Sequence, residues 1–393
     1  MVLRCIAEPY SNLIFRAKPF MNQDILINFR RTLHQYPEVA NEEYQTAQRV
    51  VDFLQEFPPH QLLEQVGGTG IVATYEADKP GKHILIRCEL DALPITEVND
   101  FAYKSTIPGK GHKCGHDGHM TMVAGLASLL LDLPQGKVSL LFQPAEETGE
   151  GALQMLNDPQ FAQVQPDYVF ALHNMPGYPL HEILVKSDTF CAASKGMTIK
   201  LLGKTSHAAE PQNGISPALA MAEIVQMLDA LPKTLDFEDF TLITVVHALL
   251  GEIAFGVAPG EAEVRATLRT FANVDMAKLT QAAESKAQEI AQKYQLKIAI
   301  EYTEQFAATV NNAQCVEVIQ KVAQANNLSI HEMEQPKKWS EDFGQFTDRF
   351  PGALFGLGSG ENHPQLHNPD YDFPDELIET GVNMFWGIIQ ELL

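Results

Sequence analysis

Two different hydrophobic periods divide the first part of the chain into helices and strands. In residues 22–57 apolar positions recur every three or four residues, which predicts a helix that Pro37 interrupts. The β-rich runs at 70–75 and 83–87 are separated by a short polar stretch containing Pro and Gly, and this spacing predicts a β-hairpin. A continuous apolar pattern at 120–131 predicts a further helix.

Side chains suited to metal binding or acid–base chemistry follow three predicted strands. The strands at 83–87, 138–143 and 167–172 lead respectively to Glu89 and Asp91, to Glu146 and Glu147, and to His173 and Asn174. The carboxyl end of an apolar strand is the usual position of a site in an α/β sheet, although a capping or turn role explains the first two acids equally well. Neighbouring side chains diverge on an extended backbone, so Glu147 and Glu146 can serve a metal and a substrate separately.

The order of predicted elements changes near residue 190. Six elements there follow the order strand, helix, strand, strand, helix, strand, at 195–202, 216–231, 241–248, 261–270, 275–294 and 296–302. This order is the split ferredoxin-like unit. We therefore predict an α/β fold in which a larger mixed-sheet α/β catalytic domain, residues 1–189 and 304–393, is interrupted by a smaller α+β (βαββαβ) domain at 190–303.

Charge and cysteine usage narrow the class of protein. The 393 residues carry 28 Lys and Arg against 50 Asp and Glu, a net charge of −22, which disfavours nucleic acid or an anionic membrane as a partner. The five cysteines are scattered without paired spacing, which fits a reducing compartment rather than a disulfide framework. Residues 1–20 contain no long apolar run, so we expect neither a secretory signal nor a membrane span, and a cytoplasmic protein.

The stretch from 111 to 119, Gly-His-Lys-Cys-Gly-His-Asp-Gly-His, concentrates potential metal ligands. Cys114 and His116 are two residues apart beside glycines, so a thiolate and an imidazole can reach one ion. A buried cysteine in a polar loop is the alternative for either residue taken alone. The clustering of several ligand types in one loop favours a metal.

The remaining candidate ligands are Glu147, His173 and either His363 or His367. With Cys114 and His116 they make five, which is too many for one catalytic zinc ion but suits two ions that share a bridging group and a water. Such a water is acidified enough to attack a carbonyl, and Glu146 is the natural general base.

Seven motifs give the chain a resemblance to a known superfamily over nearly its whole length. They are Asp-Ala-Leu-Pro at 91–94, Cys-Gly-His-Asp-Gly-His at 114–119, Gln-Pro-Ala-Glu-Glu at 143–147, Leu-His-Asn at 172–174, Ser-His-Ala-Ala at 206–209, Ser-Glu-Asp-Phe at 340–343 and Leu-His-Asn-Pro at 366–369. The chain resembles the dinuclear metallopeptidases and amidohydrolases of the aminoacylase and carboxypeptidase-G superfamily, in the branch of the hippurate and auxin-conjugate hydrolases.

This resemblance implies a ligand set and a role for the inserted domain. The implied ligands of two divalent ions, manganese, zinc, cobalt or nickel, are Cys114, His116, Glu147, His173 and His367. Cys114 stands where sister families have a bridging Asp, so a bridging thiolate is expected. Glu146 is implied as the base. The inserted domain at 190–303 is implied to be a lid that also forms a homodimer contact.

Further residues receive expected roles, from the resemblance or from their own chemistry. His207 in the lid is implied to stabilise the oxyanion or bind the substrate carboxylate, perhaps across a dimer, although a turn histidine without a role is as good a reading. Asp91 is expected to orient a metal-binding histidine, with Asp117 as the competing choice. Arg269 could pair with a substrate carboxylate, or form a surface ion pair. Asn174 is also expected to contact the substrate.

The chain departs from its relatives at two positions, and its substrate stays open. Gly256 stands where relatives usually have Asn in the lid, and Glu89 where many have Asp. The expected reaction is hydrolysis of an N-acyl amino acid, with dipeptides and indole-acetyl conjugates as alternatives. A hydrolase with a Cys114 nucleophile, or a metal-binding protein without activity, is the less favoured hypothesis.

Overall fold

The computed structural model describes residues 21–393, in which helices cover an eight-stranded and a four-stranded β-sheet, and two further sheets have two strands each. The helices are α1 Gln23–Gln35, α2 Tyr44–Gln55, α3 His116–Gly125, α4 Ala127–Leu130, α5 Gly151–Asn157, α6 Ala218–Thr234, α7 Asn273–Lys293, α8 Ala313–Ala325, α9 Gly344–Thr347 and α10 Leu377–Leu392. The strands are β1 Gln61–Val66, β2 Gly70–Glu76, β3 His83–Glu89, β4 Lys137–Gln143, β5 Tyr168–Met175, β6 Ile183–Val185, β7 Asp188–Cys191, β8 Ala193–Leu202, β9 Ser206–His207, β10 Thr241–Leu250, β11 Val257–Ala258, β12 Glu261–Thr270, β13 Lys297–Phe306, β14 Thr309–Asn311, β15 Ile330–Glu332 and β16 Gly352–Gly358.

The larger sheet has eight strands in the order β1-β2-β4-β3-β5-β16-β6-β15. Its central strands β4, β3, β5 and β16 run parallel. Ile84 and Ile86 of β3 face a core formed with α1, α2, α3, α8 and α10, whereas Leu85 faces a second core on the opposite side. Burial on both faces explains why these strands are continuous apolar runs in the sequence. The predicted mixed α/β architecture is confirmed.

The predicted hairpin of residues 70–75 with 83–87 is wrong. The strands β2 and β3 do not pair with each other, because β4 lies between them and pairs antiparallel with β2 and parallel with β3. The hairpin partner of β2 is β1, across the turn at Gly67 and Gly68, where φ is +62° and +111°. A short polar turn between two apolar runs indicates that the two strands lie close together in the sheet. It does not show that they pair, and here β4, from later in the chain, lies between them.

The smaller sheet has four antiparallel strands in the order β10-β12-β8-β13. The helices α6 and α7 cover one face, where residues such as Ile199, Val264, Leu228 and Leu279 form a separate core. This strand order is that of the ferredoxin-like unit, as the sequence predicted. The last strand, β13, continues to Phe306, and β7 pairs with β14 where the chain passes between the sheets. The domain boundaries themselves stay a prediction.

Most predicted helices are present with small shifts of their ends. The interruption at Pro37 separates α1 from α2, and the helix predicted at 120–131 begins earlier, at His116. Among residues 21–393 no helix is both long and apolar enough to cross a membrane. Four cysteines, Cys88, Cys114, Cys191 and Cys315, are free thiols. Cys5 and the segment 1–20, on which the leader prediction rests, lie outside the described residues.

Candidate active site

The five predicted ligands come from four separate segments that meet at one edge of the larger sheet. Cys114 and His116 flank the start of α3, Glu147 follows β4, His173 lies in β5, and His367 lies in the segment before α10. Since β4, β3 and β5 are parallel neighbours, their carboxyl ends deliver these side chains to the same place. At the start of α3 the chain turns through Gly115, whose φ of +96° is readily available only to glycine.

Two groups of three ligand atoms share the thiol of Cys114. Cys114 lies with His116 and His173 in one group, and with Glu147 and His367 in the other, and within each group all ligand atoms are within 4.8 Å of one another. The Cys114 Sγ is 3.5 Å from His173 Nε2, and Glu147 Oε1 is 3.5 Å from His367 Nε2. The structure therefore brings together all five residues that the sequence predicted, with the cysteine between the two groups.

Hydrogen bonds aim the coordinating nitrogens of two histidines at this centre. The Nδ1–H of His116 donates to the Asp91 carbonyl at 2.8 Å, and the Nδ1–H of His173 donates to the Asn174 carbonyl at 2.9 Å. Each Nε2 then presents its lone pair to the centre. Within the described chain, His116 Nε2 and Glu147 Oε1 are buried without a hydrogen-bond partner. Buried polar atoms are rarely left unpaired, so these residues fit a bound cation.

The protonation equilibria of the centre also suit cations. Burial and the nearby carboxylates of Glu147 and Glu146 raise the pKa of Cys114 well above its usual value. Burial would lower the pKa of His116, but the hydrogen bond to Asp91 and the field of Glu89 raise it to about 10. A divalent ion can replace both of these protons, because thiolate and neutral imidazole are the metal-binding forms.

His173 and Glu147 differ from those two groups. Burial lowers the pKa of His173 to about 3, so the imidazole is neutral before any metal binds. Burial would raise the pKa of Glu147, but the neighbouring imidazoles of His367 and His116 lower it. Glu147 is therefore ionised and available as a carboxylate ligand at neutral pH.

Glu146 lies beside the ligands without belonging to either group of three. Its Oε2 is 3.8 Å from His116 Nε2, and its side chain is buried. On its other side its carboxylate is within 4.8 Å of Glu341 and Asp342. Burial and the charges of Glu341 and Glu147 raise the pKa of Glu146 well above its usual value. A carboxylate that holds protons this readily, beside a cation site, is suited to general base catalysis.

A buried arginine holds the acids behind Glu146, and sequence reasoning missed it. The Arg87 guanidinium donates to Gln143 Oε1 at 2.9 Å, to Glu341 Oε1 and Asp342 Oδ1 at 2.8 Å each, and also contacts Glu89. The Ser-Glu-Asp-Phe motif at 340–343 was noticed, but nothing in the sequence assigned it a contact. Arg87 lies within an apolar strand, and the one signal for it in the sequence is a charged residue at a position where the strand pattern predicts a buried one.

The two candidates for a supporting aspartate, Asp91 and Asp117, make different contacts. Asp91 accepts from His116 through its carbonyl, and its Oδ2 accepts from the Glu147 amide at 3.0 Å. Asp117 instead contacts Arg30 and His34, at 3.0 and 2.8 Å. The structure thus places Asp91, and not Asp117, in contact with two of the candidate ligands. Of the two late histidines, His367 lies beside Glu147.

His363 and Asn174 have other contacts. The Nε2–H of His363 donates to the Asp372 carbonyl at 2.5 Å, away from the ligand groups. The side chain of Asn174 is fully buried, its Oδ1 is 2.6 Å from His119 Nε2, and its Nδ2 donates to the Tyr371 hydroxyl at 2.6 Å. Both ends of its amide are occupied, which does not favour the predicted substrate contact. Asn174 instead holds His119 in place.

The two predicted substrate residues, His207 on the short strand β9 and Arg269 in the smaller sheet, contact residues other than the ligands. His207 is exposed on β9, where it pairs with Val257 and its Nδ1 accepts from the Ala209 amide at 3.1 Å. The Arg269 guanidinium donates to the Lys338 carbonyl at 2.8 Å and to Ser340 Oγ at 3.0 Å. Neither forms a hydrogen bond with a candidate ligand in the described part of the chain. The surface ion pair considered for Arg269 is not formed by these contacts.

Comparisons with known proteins agree with this fold. Residues 85–391 match the peptidase family M20/M25/M40. The chain is 30% identical over 362 residues to the N-acetyldiaminopimelate deacetylase of Anoxybacillus flavithermus, covering 90% of this chain and 95% of that protein. It is 29% identical over 369 residues to the enzyme of the same name from Bacillus subtilis, covering 93% and 98%.

Solved structures of similar fold include two from bacteria. The Bacillus subtilis YXEP protein, described as a dinuclear metal binding peptidase from the M20 family, has a TM-score of 0.79 at 24% identity over 93% of this chain and 97% of that one. The aminobenzoyl-glutamate utilization protein from Klebsiella pneumoniae has a TM-score of 0.72 at 18% identity, over 94% and 95%. The chain belongs to the peptidase family M20/M25/M40. It is a hydrolase that acts on amide bonds, and the resemblance drawn from its motifs is confirmed.

Proposed function

We propose that this protein is a dinuclear metallohydrolase that cleaves N-acyl amino acids into a carboxylic acid and a free amino acid. The observation that carries the proposal is the pair of ligand groups that share Cys114, since two groups with one common thiol suit two ions with a bridging thiolate. The five ligands are Cys114, His116, Glu147, His173 and His367. Manganese, zinc, cobalt and nickel all accept this mixture of thiolate, imidazole and carboxylate.

The chain's own residues divide the reaction between them. When bound, the two divalent ions acidify water and polarise the amide carbonyl. Glu146 accepts a proton from the attacking water, whose oxygen forms a bond to the carbonyl carbon. Glu146 then returns that proton to the amide nitrogen as the carbon–nitrogen bond breaks, so the amine leaves neutral. Asp91 keeps His116 and Glu147 oriented throughout, by the two contacts described above.

The names of the relatives support the proposed substrate class. Two of them carry the name N-acetyldiaminopimelate deacetylase, and this name denotes an enzyme that hydrolyses an acetylated amino acid. Dipeptides and indole-acetyl conjugates are alternatives within the same chemistry. The raised pKa of the Cys114 thiol weighs against a thiolate nucleophile, because the protonated thiol is a poor one.

We also propose that the inserted domain at 190–303 acts as a lid and dimer contact. In residues 21–393 the strand β10 lies at the edge of its sheet and pairs there with β12 alone. Val246 and Leu249 on this strand are more than half exposed, and Ile253 and Phe255 after it are fully exposed. A partner subunit could cover these apolar side chains. Across such a dimer His207 would reach a second active centre. Light scattering of the purified protein tests the dimer.

The experiment that tests the proposed function combines metal replacement with substitution of the base. Metal-free protein supplied with one metal at a time is assayed on N-acetyl, N-benzoyl and indole-acetyl amino acids and on dipeptides. Replacing Glu146→Gln is expected to lower kcat by about 10²- to 10⁴-fold, the usual contribution of a positioned acid–base group, while both ions stay bound. Normal turnover in this variant would remove Glu146 as the base. A protein that binds no divalent ion would refute the dinuclear site.

A further inference from the structure

Trp339 is the aromatic side chain that packs on a candidate metal ligand. Its indole ring centroid is 5.5 Å from that of His173 and 6.3 Å from that of Phe190. Phe190 is completely buried, whereas Trp339 is partly exposed. Because the Nε2 of His173 is 3.5 Å from the Cys114 sulfur, the indole lies at the border of the metal centre.

The backbone on both sides of Trp339 is fixed. The Ala192 amide donates to the carbonyls of Lys337 and Trp339, at 3.0 and 3.1 Å. Arg269 from β12 donates to the carbonyl of Lys338 and to the hydroxyl of Ser340, the residues that flank the tryptophan. These contacts come from two different parts of the chain. They hold the backbone that carries the indole.

Glu146 and Trp339 lie beside different candidate ligands. The carboxylate of Glu146 lies within 4.8 Å of the ligand atoms of His116 and Glu147, whereas His173 is grouped with Cys114 and His116 in the described structure. A base that delivers its proton to the amide nitrogen has the amine half of the substrate on its own side. The acyl half is then assigned to the side of His173, the ligand on which Trp339 packs.

We propose that Trp339 forms the wall of the acyl subsite and restricts the enzyme to small aliphatic acyl groups such as acetyl. This inference rests on the proposed function, because it assigns one half of the scissile amide to the His173 side of the metal pair. An indole packed on His173 would then exclude the ring of an aromatic acyl group from this side of the centre. No motif in the sequence marks Trp339 for this role.

The position of Trp339 can be tested by fluorescence without any turnover. The chain has two tryptophans, and the other, Trp386, lies in α10 and packs on the main core. The Trp386→Phe variant leaves Trp339 as the only indole, and titration with Co²⁺, which accepts energy from a nearby excited indole, should quench its emission in step with metal binding. The matched Trp339→Phe variant should show much weaker quenching. Unquenched emission in Trp386→Phe with both ions bound would overturn the inference.

The specificity of the site is tested with paired substrates that share one amino acid. Replacing Trp339→Ala should raise kcat/KM for N-benzoyl relative to N-acetyl substrates by about 10-fold or more. Hydrophobic pockets discriminate between substrates by about this factor when the size of one group changes. Trp339→Phe should give a smaller change in the same direction, and Trp386→Phe none. The metal content should stay at its wild-type value in all three variants.

The outcomes separate this inference from the proposed function. If the wild type hydrolyses N-acyl amino acids but the benzoyl-to-acetyl ratio of Trp339→Ala stays within twofold, the inference is wrong and the function stands. If Trp339→Ala changes the preference for the amino acid half of the substrate but not for the acyl half, the assignment of Trp339 to the acyl subsite is wrong. A wild type that binds two ions yet cleaves no N-acyl amino acid overturns both.

Discussion

Replacing Gly115→Ala should disturb the metal centre through one well-defined contact. Gly115 lies between Cys114 and His116, and its φ is +96°. A Cβ built there would be 2.3 Å from the Oδ1 of Asn174 and 2.8 Å from its Cγ. The left-handed backbone costs an alanine about 1–2 kcal/mol. Forcing a methyl group into a packed site costs about 1–3 kcal/mol more.

Together these two terms predict a loss of about 2–5 kcal/mol in the free energy of unfolding. The side chain of Asn174 has to move, and with it the hydrogen bond to His119 Nε2. The variant should therefore also bind metal more weakly than the wild type. Urea unfolding of the metal-free protein measures the first effect, and the metal content after dialysis against a fixed metal concentration measures the second.

A matched control separates the backbone cost from the clash. Gly109 also has a positive φ, +77°, but a Cβ there would meet nothing within 4 Å. The Gly109→Ala variant should lose only the backbone term, about 1–2 kcal/mol, and keep its metal affinity. Equal destabilisation of the two variants, or full metal affinity in Gly115→Ala, would refute the reasoning from the Asn174 contact.

Two further predictions concern metal binding and acid stability. His367→Ala should bind one equivalent of metal instead of two, whereas Cys114→Ser should weaken both sites because both ligand groups contain Cys114. Elemental analysis of the dialysed protein distinguishes the two variants. Identical metal stoichiometries would contradict a shared thiol. Burial would raise the pKa of Glu97, but hydrogen bonds from His34 and Lys113 lower it to about 2. The ionised Glu97 therefore stabilises the fold fully above the pKa of the unfolded chain, near 4.5, and this contribution is lost as the pH falls from 4.5 towards 2. Thermal unfolding of Glu97→Gln should accordingly depend less on pH in this window than that of the wild type, and parallel pH profiles would count against the assignment.

The ligands could be predicted from the sequence because each one follows a strong local pattern. Glu147 and His173 come at or directly after buried strands, and the carboxyl ends of parallel strands meet. The pairing of β2 with β4 could not be predicted in the same way, because strand partners are chosen by contacts between segments far apart in the chain. The same limit hid Arg87 and Trp339, whose roles depend on neighbours that no local period reveals.

The carboxylates buried around Glu146 carry more negative charge than Arg87 offsets, so bound cations would stabilise them. Glu146, Glu341, Asp342 and Glu89 are all at most 5% exposed, and in the described structure Arg87 is the guanidinium that contacts three of them. Burying so many carboxylates near one cation is costly, and it raises the pKa of Glu146. Divalent ions on the opposite side would lower that pKa again, since a nearby positive charge favours the ionised carboxylate. A general base works best when its pKa lies near the working pH. The acids behind Glu146 and the cations in front of it therefore act in opposite directions on the same carboxylate, and their difference sets how well it accepts a proton from water.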